Sequence, residues 1–397
     1  MASALDATRL ILNALNPNQT PAGWESDRAR SQADWDDVAV RAVVFGLAPQ
    51  LHHRLNEWGL QAPPRAAAKL SAAYQANAGR NAAIYAQLGE VLAACAGRGL
   101  RPIALKGVHL AALVYADPAL RPMNDIDLLF TPAEQPAAEA VLEALGYGGK
   151  RRSPDVGPGV TKHTSTFRRS TAQAATPNPY LSTSADRTVE PHTSLEESWF
   201  GLKVDVTPGV RERAAPARLG GHDCLVLARE DLLLHVCIHF CFHLIMGAPS
   251  MVQLADVLAV ASAGGVDWPV FADRAIARRS TPYALAAATL ARDLLGAPVP
   301  PDVIQRLARA TPGPLRRRVE SLGLIDILRR TQQKPLTTIA QRIRRGFSDR
   351  AETARWALNW RARWAVWKTA LAVGRTDTGR MLLGKDPRTQ MNTDERR

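Results

Sequence analysis

Two carboxylates at i and i+2, with a lysine–glycine turn one helix upstream, are the residues of this chain best placed to do chemistry. In RPMNDIDLLF, residues 121–130, Asp125 and Asp127 would project from one face of a strand, with Ile126 and Leu128 turned into the core. Two adjacent carboxylates repel unless a cation lies between them. Oxygen ligands of this kind suit Mg²⁺ or Mn²⁺, with phosphate and water completing the shell. Upstream, Leu105 ends a strand and Lys106-Gly107 opens a helix, so backbone N–H groups and the positive helix end face whatever anion sits there, and Lys106 adds a full charge. Taken alone, the same residues also fit a solvated strand face beside an ordinary turn.

A second stretch, HVCIHFCFH at 235–243, offers more ligand atoms in a poorer arrangement. It follows the helix-start residues A-R-E-D and runs too long for a typical strand. On a helix, His235, His239 and His243 form one stripe, while Cys237 and Cys241 lie toward the opposite side, so one ion cannot reach both sets. No H-E-x-x-H arrangement and no second cysteine pair accompany them. The expectation is core cysteines and hydrogen-bonded histidines, with His239 or His243 as the residue that could touch substrate.

The elements that must position these groups follow from periodicity. Residues 4–100 are rich in Ala, Leu and Arg at helical spacing, broken at NPNQTPAG and QAPPRAA and ending in NAAIYAQLGEVLAACAGRG. Then come a short strand, RPIAL, the helix VHLAALVYA, the turn DPALRPMN, the strand DIDLLF and the helix PAEQPAAEAVLEALGYG. Ser, Thr, Pro and Arg dominate 150–188, which predicts a long, partly mobile insertion. From LAREDLLLHVCIHF onward the pattern is helical. The expected organisation is a helical N-terminal region (1–98), an α/β core (99–228), a helical region completing the cleft (229–310) and a basic, Trp-rich helical tail (311–397).

The stretch LKGVHLAALVYADPALRPMNDIDLLF, residues 105–130, resembles the signature of an uncharacterised nucleotidyltransferase family within the DNA polymerase β-like superfamily. The resemblance continues more weakly over roughly 80–300. It implies an α+β fold, a small mixed sheet embedded in a mainly helical protein. It also implies transfer of an NMP from an NTP to an acceptor, with three carboxylates holding Mg²⁺ or Mn²⁺ and a turn and helix start holding the triphosphate. Asp125 and Asp127 match the first two carboxylates. The family's third sits in a strand reading V-[DE]-x-H-x-x-L, which TVEPHTSL matches with Glu190 and His192. Asp205, in LKVDVTPG, has the better strand propensity; Pro191 beside Glu190 suits only an edge or irregular position. Pattern position favours Glu190. Lys106, Gly107 and Arg121 fall where the triphosphate would be held, although Arg121 could instead pair with Asp125 or Asp127. The chain departs from the wider superfamily in having Lys-Gly rather than Gly-Gly or Gly-Ser at the turn.

Charge separates the ends of the chain. Residues 301–397 carry 22 Lys+Arg against 9 Asp+Glu, which accounts for the whole net charge of +13. Within this tail Trp356, Trp360, Trp364 and Trp367 recur at helical spacing among Arg355, Arg361, Arg363 and Lys368. That pattern fits a helix on an anionic membrane surface, a nucleic-acid surface, or aromatic packing onto the chain's own domain. Neither a secretory leader nor a spanning segment is legible, and the four cysteines show no paired-loop pattern, so a cytoplasmic protein with reduced thiols, peripheral to a membrane at most, is expected. The rival to an enzyme is a non-catalytic protein of the same fold that docks through its tail.

Overall fold

Long runs of Ala and Leu with few β-branched residues commit the first hundred residues to helix. The computed structural model describes residues 2–151, 165–169, 187–331 and 339–371. Helices α1 (Ala2–Leu15), α2 (Pro21–Arg30), α3 (Trp35–Val44) and α4 (Ala48–Glu57) precede α5 (Pro64–Ala96), a single helix of 33 residues. Their starts follow the sequence: the Thr20 and Asp34 side chains accept from backbone N–H groups of the first turn, and Pro21 and Pro64 occupy first positions where no N–H is needed.

The middle of the chain builds the sheet. In order come β1 (Ile103–Ala104), α6 (Lys106–Leu113), a 3₁₀ turn (Pro118–Leu120), β2 (Asp125–Leu129) and α7 (Gln135–Ala144), then β3 (Gly148–Arg151) and β4 (Ser165–Arg168). They are followed by β5 (Thr188–His192), β6 (Glu197–Trp199), β7 (Leu202–Val204), α8 (Val210–Arg213), β8 (Ala215–Leu219) and β9 (His222–Val226). Seven strands pair in the order β3-β4-β5-β2-β1-β9-β8, while β6 and β7 form a separate pair. The β2–β5 and β1–β9 pairs are parallel and the others antiparallel, so the sheet is mixed and the fold is α+β. The insertion expected at 150–188 is not wholly irregular: Ser165–Arg168 is a strand with Phe167 fully buried, while 152–164 and 170–186 lie outside the described residues.

Helices complete the chain: α9 (Arg229–Met246), α10 (Met251–Ser262), α11 (Trp268–Ala277), α12 (Thr281–Leu295), α13 (Pro301–Ala310), α14 (Gly313–Glu320), α15 (Leu324–Thr331), α16 (Ile339–Arg355) and α17 (Trp360–Leu371). None of the described helices is long and apolar enough to cross a membrane. Two hydrophobic cores result, and the sheet divides them by strand alternation. Ala104, Ile126, Leu128 and Val189 join the second half of α5 and α7 on one face. Ile103, Leu105 and Leu129 face the other way, into a larger core shared by the N-terminal helices and by α9 to α17. Residues 7–73 and 229–310 thus contribute to one core, while the second half of α5 belongs to the other. Helix α5 and the β8–β9 turn meet at two glycines: a Cβ on Gly89 would lie 2.3 Å from the Gly220 carbonyl oxygen, and Gly220 itself has φ +55°.

On α6, His109 is 4% exposed and its Nδ1 has no hydrogen-bond partner among the described residues. Burial, with a smaller contribution from the Arg229 charge, pushes its pKa down to about 4. The unfolded chain therefore takes up a proton on this ring below about pH 6.5 that the folded state refuses until about pH 4, so stability falls with pH across that window. Urea unfolding at pH 7 and pH 4.5 should show about 2 kcal/mol of acid-linked loss from this residue, absent in His109→Leu. An unchanged pH slope in the variant would mean the imidazole is not held neutral.

Candidate active site

The parallel register sets Asp127 beside Glu190 and Asp125 beside Thr188, so Asp125, Asp127, Glu190 and His192 share the sheet face turned to the large helical core. Pro191 is accommodated because strand geometry points its missing N–H toward β4, and the β4–β5 ladder pairs only Phe167 with Val189. On the opposite side the ladder is intact: the Phe130 N–H donates to the His192 carbonyl at 2.9 Å.

Donor atoms of Asp127, Glu190 and His192 lie within 4.8 Å of one another. Asp127 is 2% exposed, and two groups compensate its charge. Lys106 Nζ donates to Oδ1 at 2.8 Å, and His192 Nε2 meets the same oxygen. Burial alone would raise the Asp127 pKa, but the Lys106 charge and then His192 outweigh it and hold the carboxyl well below its ordinary range. Burial would likewise depress the Lys106 ammonium, and Asp127, followed by Asp125 and Glu197, holds it charged above the ordinary lysine range. Lys106 reaches this position from a left-handed backbone, φ +43°, at the first residue of α6, a conformation that costs a non-glycine residue about 1–3 kcal/mol.

Arg121 is paired with Asp256 rather than with Asp125 or Asp127. Its Nε and Nη2 donate to Asp256 on α10 at 3.1 and 2.8 Å, and Nη1 donates to the Pro122 carbonyl. The Tyr115 hydroxyl donates to the same Asp256 carboxylate at 2.9 Å. Gly107 is required by this packing, since a Cβ there would stand 2.7 Å from Arg121 Nη1 and 3.0 Å from Met123 Cγ. Helix α5 holds the turn from its other side. Tyr74 donates to Asp117, Asn77 to the Ala119 carbonyl, and Asn81 to the carbonyls of Pro118 and Arg121 at 2.6 and 2.9 Å.

Asp205 is not brought to the cluster. It lies just past β7, is exposed, and caps a turn by accepting from the Thr207 N–H at 2.9 Å. The HVCIHFCFH stretch is helical, within α9, and forms no metal-ligand group among the described residues. Cys237 and Cys241 are fully buried, and burial raises the Cys237 thiol. His239 Nδ1 donates to Glu197 at 2.8 Å and its Nε2 meets the Gln253 amide at 3.1 Å. Asp256, Tyr115 and Glu197 were not singled out from sequence. Asp256 alone carried a signal, a single acid within the apolar run of α10, MVQLADVLAVAS, that burial obliges to find a cation.

An ion with ligands at about 2.1 Å has adjacent donors about 3.0 Å apart and opposite donors about 4.2 Å apart. Two carboxylates and an imidazole with ligand atoms within 4.8 Å of one another are close to those spacings, and the imidazole suits Mn²⁺ at least as well as Mg²⁺. A family model described as an uncharacterised nucleotidyltransferase matches residues 31–296, more than half of the chain. The chain belongs to that nucleotidyltransferase family. Comparison with curated proteins and with solved structures gives no match. The matched span runs from the end of α2 to the end of α12. It takes in the nucleotidyltransferase sheet and the Arg121–Asp256 link, and stops short of the Trp-rich helices.

Removing one member of a buried pair strands the other. Asp256→Ala should lose about 3–5 kcal/mol in urea unfolding, whereas Arg121→Met/Asp256→Leu should lose less than either single replacement. Equal losses for the double and the single variants would show that the pair is not the link between the turn and α10.

Proposed function

We propose that the protein transfers an NMP from an NTP to an acceptor, with release of pyrophosphate. The observation that carries this reading is the Asp127–Glu190–His192 cluster on two parallel strands, in a chain of the nucleotidyltransferase family. Asp127, Glu190 and His192 would hold Mg²⁺ or Mn²⁺, and Asp125, on the same strand face, stands where a second cation or the triphosphate would be met. A bound cation would neutralise phosphate charge and orient the α-phosphate for in-line attack. The chain's own groups prepare that site. Lys106 keeps Asp127 ionised, and Glu190, half-buried beside it, supplies the second carboxylate. The first N–H groups of α6 have no side-chain cap and would be open to a phosphate there. The Arg121–Asp256 pair and the polar residues of α5 hold the turn that feeds β2, so Arg121 acts by positioning that strand.

The competing reading is a protein that keeps the fold without catalysis. It draws support from the mutual neutralisation of Asp127, Lys106 and His192, a buried set that balances its charge internally. Labelled NTPs with Mg²⁺ or Mn²⁺ separate the two. NMP transfer to protein, RNA or a small molecule, with pyrophosphate release that falls about 100-fold or more in a normally folded Glu190→Gln variant, is the expected result. Turnover retained in Glu190→Gln and in Asp127→Asn would reject the site, and failure of the wild type to bind or turn over any NTP would favour the non-catalytic reading.

A further inference from the structure

Helix α17 is packed the opposite way from a core helix. Its small residues face the protein: Val366 is fully buried, a Cβ on Gly201 would lie 2.9 Å from the Ala365 carbonyl, and Thr369 accepts from the buried Arg350 at 3.0 Å. The large aromatics face out, with Trp360 71% and Trp364 53% exposed. At about 100° per residue, Trp360, Trp364 and Trp367 fall within about 60° of arc and make one continuous stripe. Arg361 and Lys368 border it on one side and Arg363 on the other, all three exposed. Trp356, in the preceding loop, is buried as the expectation of aromatics packed onto the chain's own domain has it, and Trp367, at the edge of the stripe, is partly buried against the same core.

Isolated exposed apolar residues are ordinary, but a contiguous indole stripe edged by cations on both sides marks a surface that meets something. We propose that α17 is a membrane-docking helix, its tryptophan stripe entering the headgroup layer of an anionic bilayer while the flanking cations contact lipid phosphates. Three observations choose a lipid surface as the occupant. The stripe and its charges are segregated by helix face, as interfacial helices require. The guanidinium of Arg361 lies over the Trp360 ring at 5.5 Å, on a face that a nucleobase would need for stacking. Beside the stripe, an open cavity of about 500 Å³ is lined by Arg317, Arg318, Arg355, Arg363 and Trp367 with Pro314, Ala351 and Ala354. Two of its four arginines, Arg318 and Arg355, pair with Glu352, and this recess of headgroup size shares Arg363 and Trp367 with the aromatic surface. The basic excess of residues 301–397 supplies long-range attraction to the same anionic surface.

The test uses the full chain in co-sedimentation with vesicles of phosphatidylcholine alone and of phosphatidylcholine with phosphatidylglycerol. Binding is expected only to the anionic vesicles and should weaken as salt rises. Trp360→Ala/Trp364→Ala should weaken it on the order of tenfold without changing the unfolding midpoint, because both rings are exposed. Arg361→Gln/Arg363→Gln/Lys368→Gln should also weaken it, through loss of charge. Absence of vesicle binding, equal binding to neutral and anionic vesicles, or full binding by the tryptophan double variant would overturn the proposal. So would salt-sensitive binding of single-stranded RNA that these variants abolish while vesicles are not bound.

Discussion

A carboxylate buried in the middle of a sheet survives only if a cation reaches it, and the Asp127–Lys106 ion pair is the interaction on which the rest of this site depends. Leaving either charge buried alone would cost several kcal/mol. Lys106 reaches Asp127 because the chain leaves β1 through a left-handed residue and enters α6 at once. His192 reaches the same oxygen because β5 runs parallel to β2 in the register that sets Glu190 against Asp127. The same pairing that neutralises Asp127 therefore brings a second carboxylate and an imidazole within ligand distance.

The turn between α6 and β2 shows how the helical body and the sheet are made one unit. From one side α5 presents Tyr74, Asn77 and Asn81, successive positions on one helical face, to Asp117 and the carbonyls of the turn. From the other, Asp256 of α10 takes the Arg121 guanidinium and the Tyr115 hydroxyl. Asn77, Asn81, Arg121 and Asp256 are polar and buried, so each constrains the turn by direction as well as by contact. The strand that carries Asp125 and Asp127 is in this way fixed at its entry by two helices belonging to different parts of the chain.

Much of this was legible in the sequence, for identifiable reasons. The alternation of DIDLL announces a strand with acids on one face and apolar residues on the other, and Ile126 and Leu128 are indeed buried in the sheet–α5 core. The helical placement of HVCIHFCFH follows from its length and its start, and it separates the histidines from the cysteines. Glu190 needed the family pattern, because Pro191 argues against a strand until the short reach of β4 is known. Other features were hidden because they are long-range. Arg121 and Asp256 are 135 residues apart, so nothing near Arg121 distinguishes a phosphate clamp from a buried pair. The left-handed conformation of Lys106 has no signature in residue type, since lysine ordinarily avoids it. The outward turn of Trp360 and Trp364 was equally invisible, because helical spacing gives a stripe without saying which way it faces.

The central claim is that Asp127, Glu190 and His192 bind one divalent cation together. A titration with Mn²⁺ followed by electron paramagnetic resonance, on the wild type and on His192→Gln and Glu190→Gln, tests it most directly. Saturable binding in the wild type that is lost in Glu190→Gln, and a nitrogen coupling to Mn²⁺ that disappears in His192→Gln, are the predicted results. Binding that is unchanged in both variants, or no binding in the wild type with or without NTP, would contradict it.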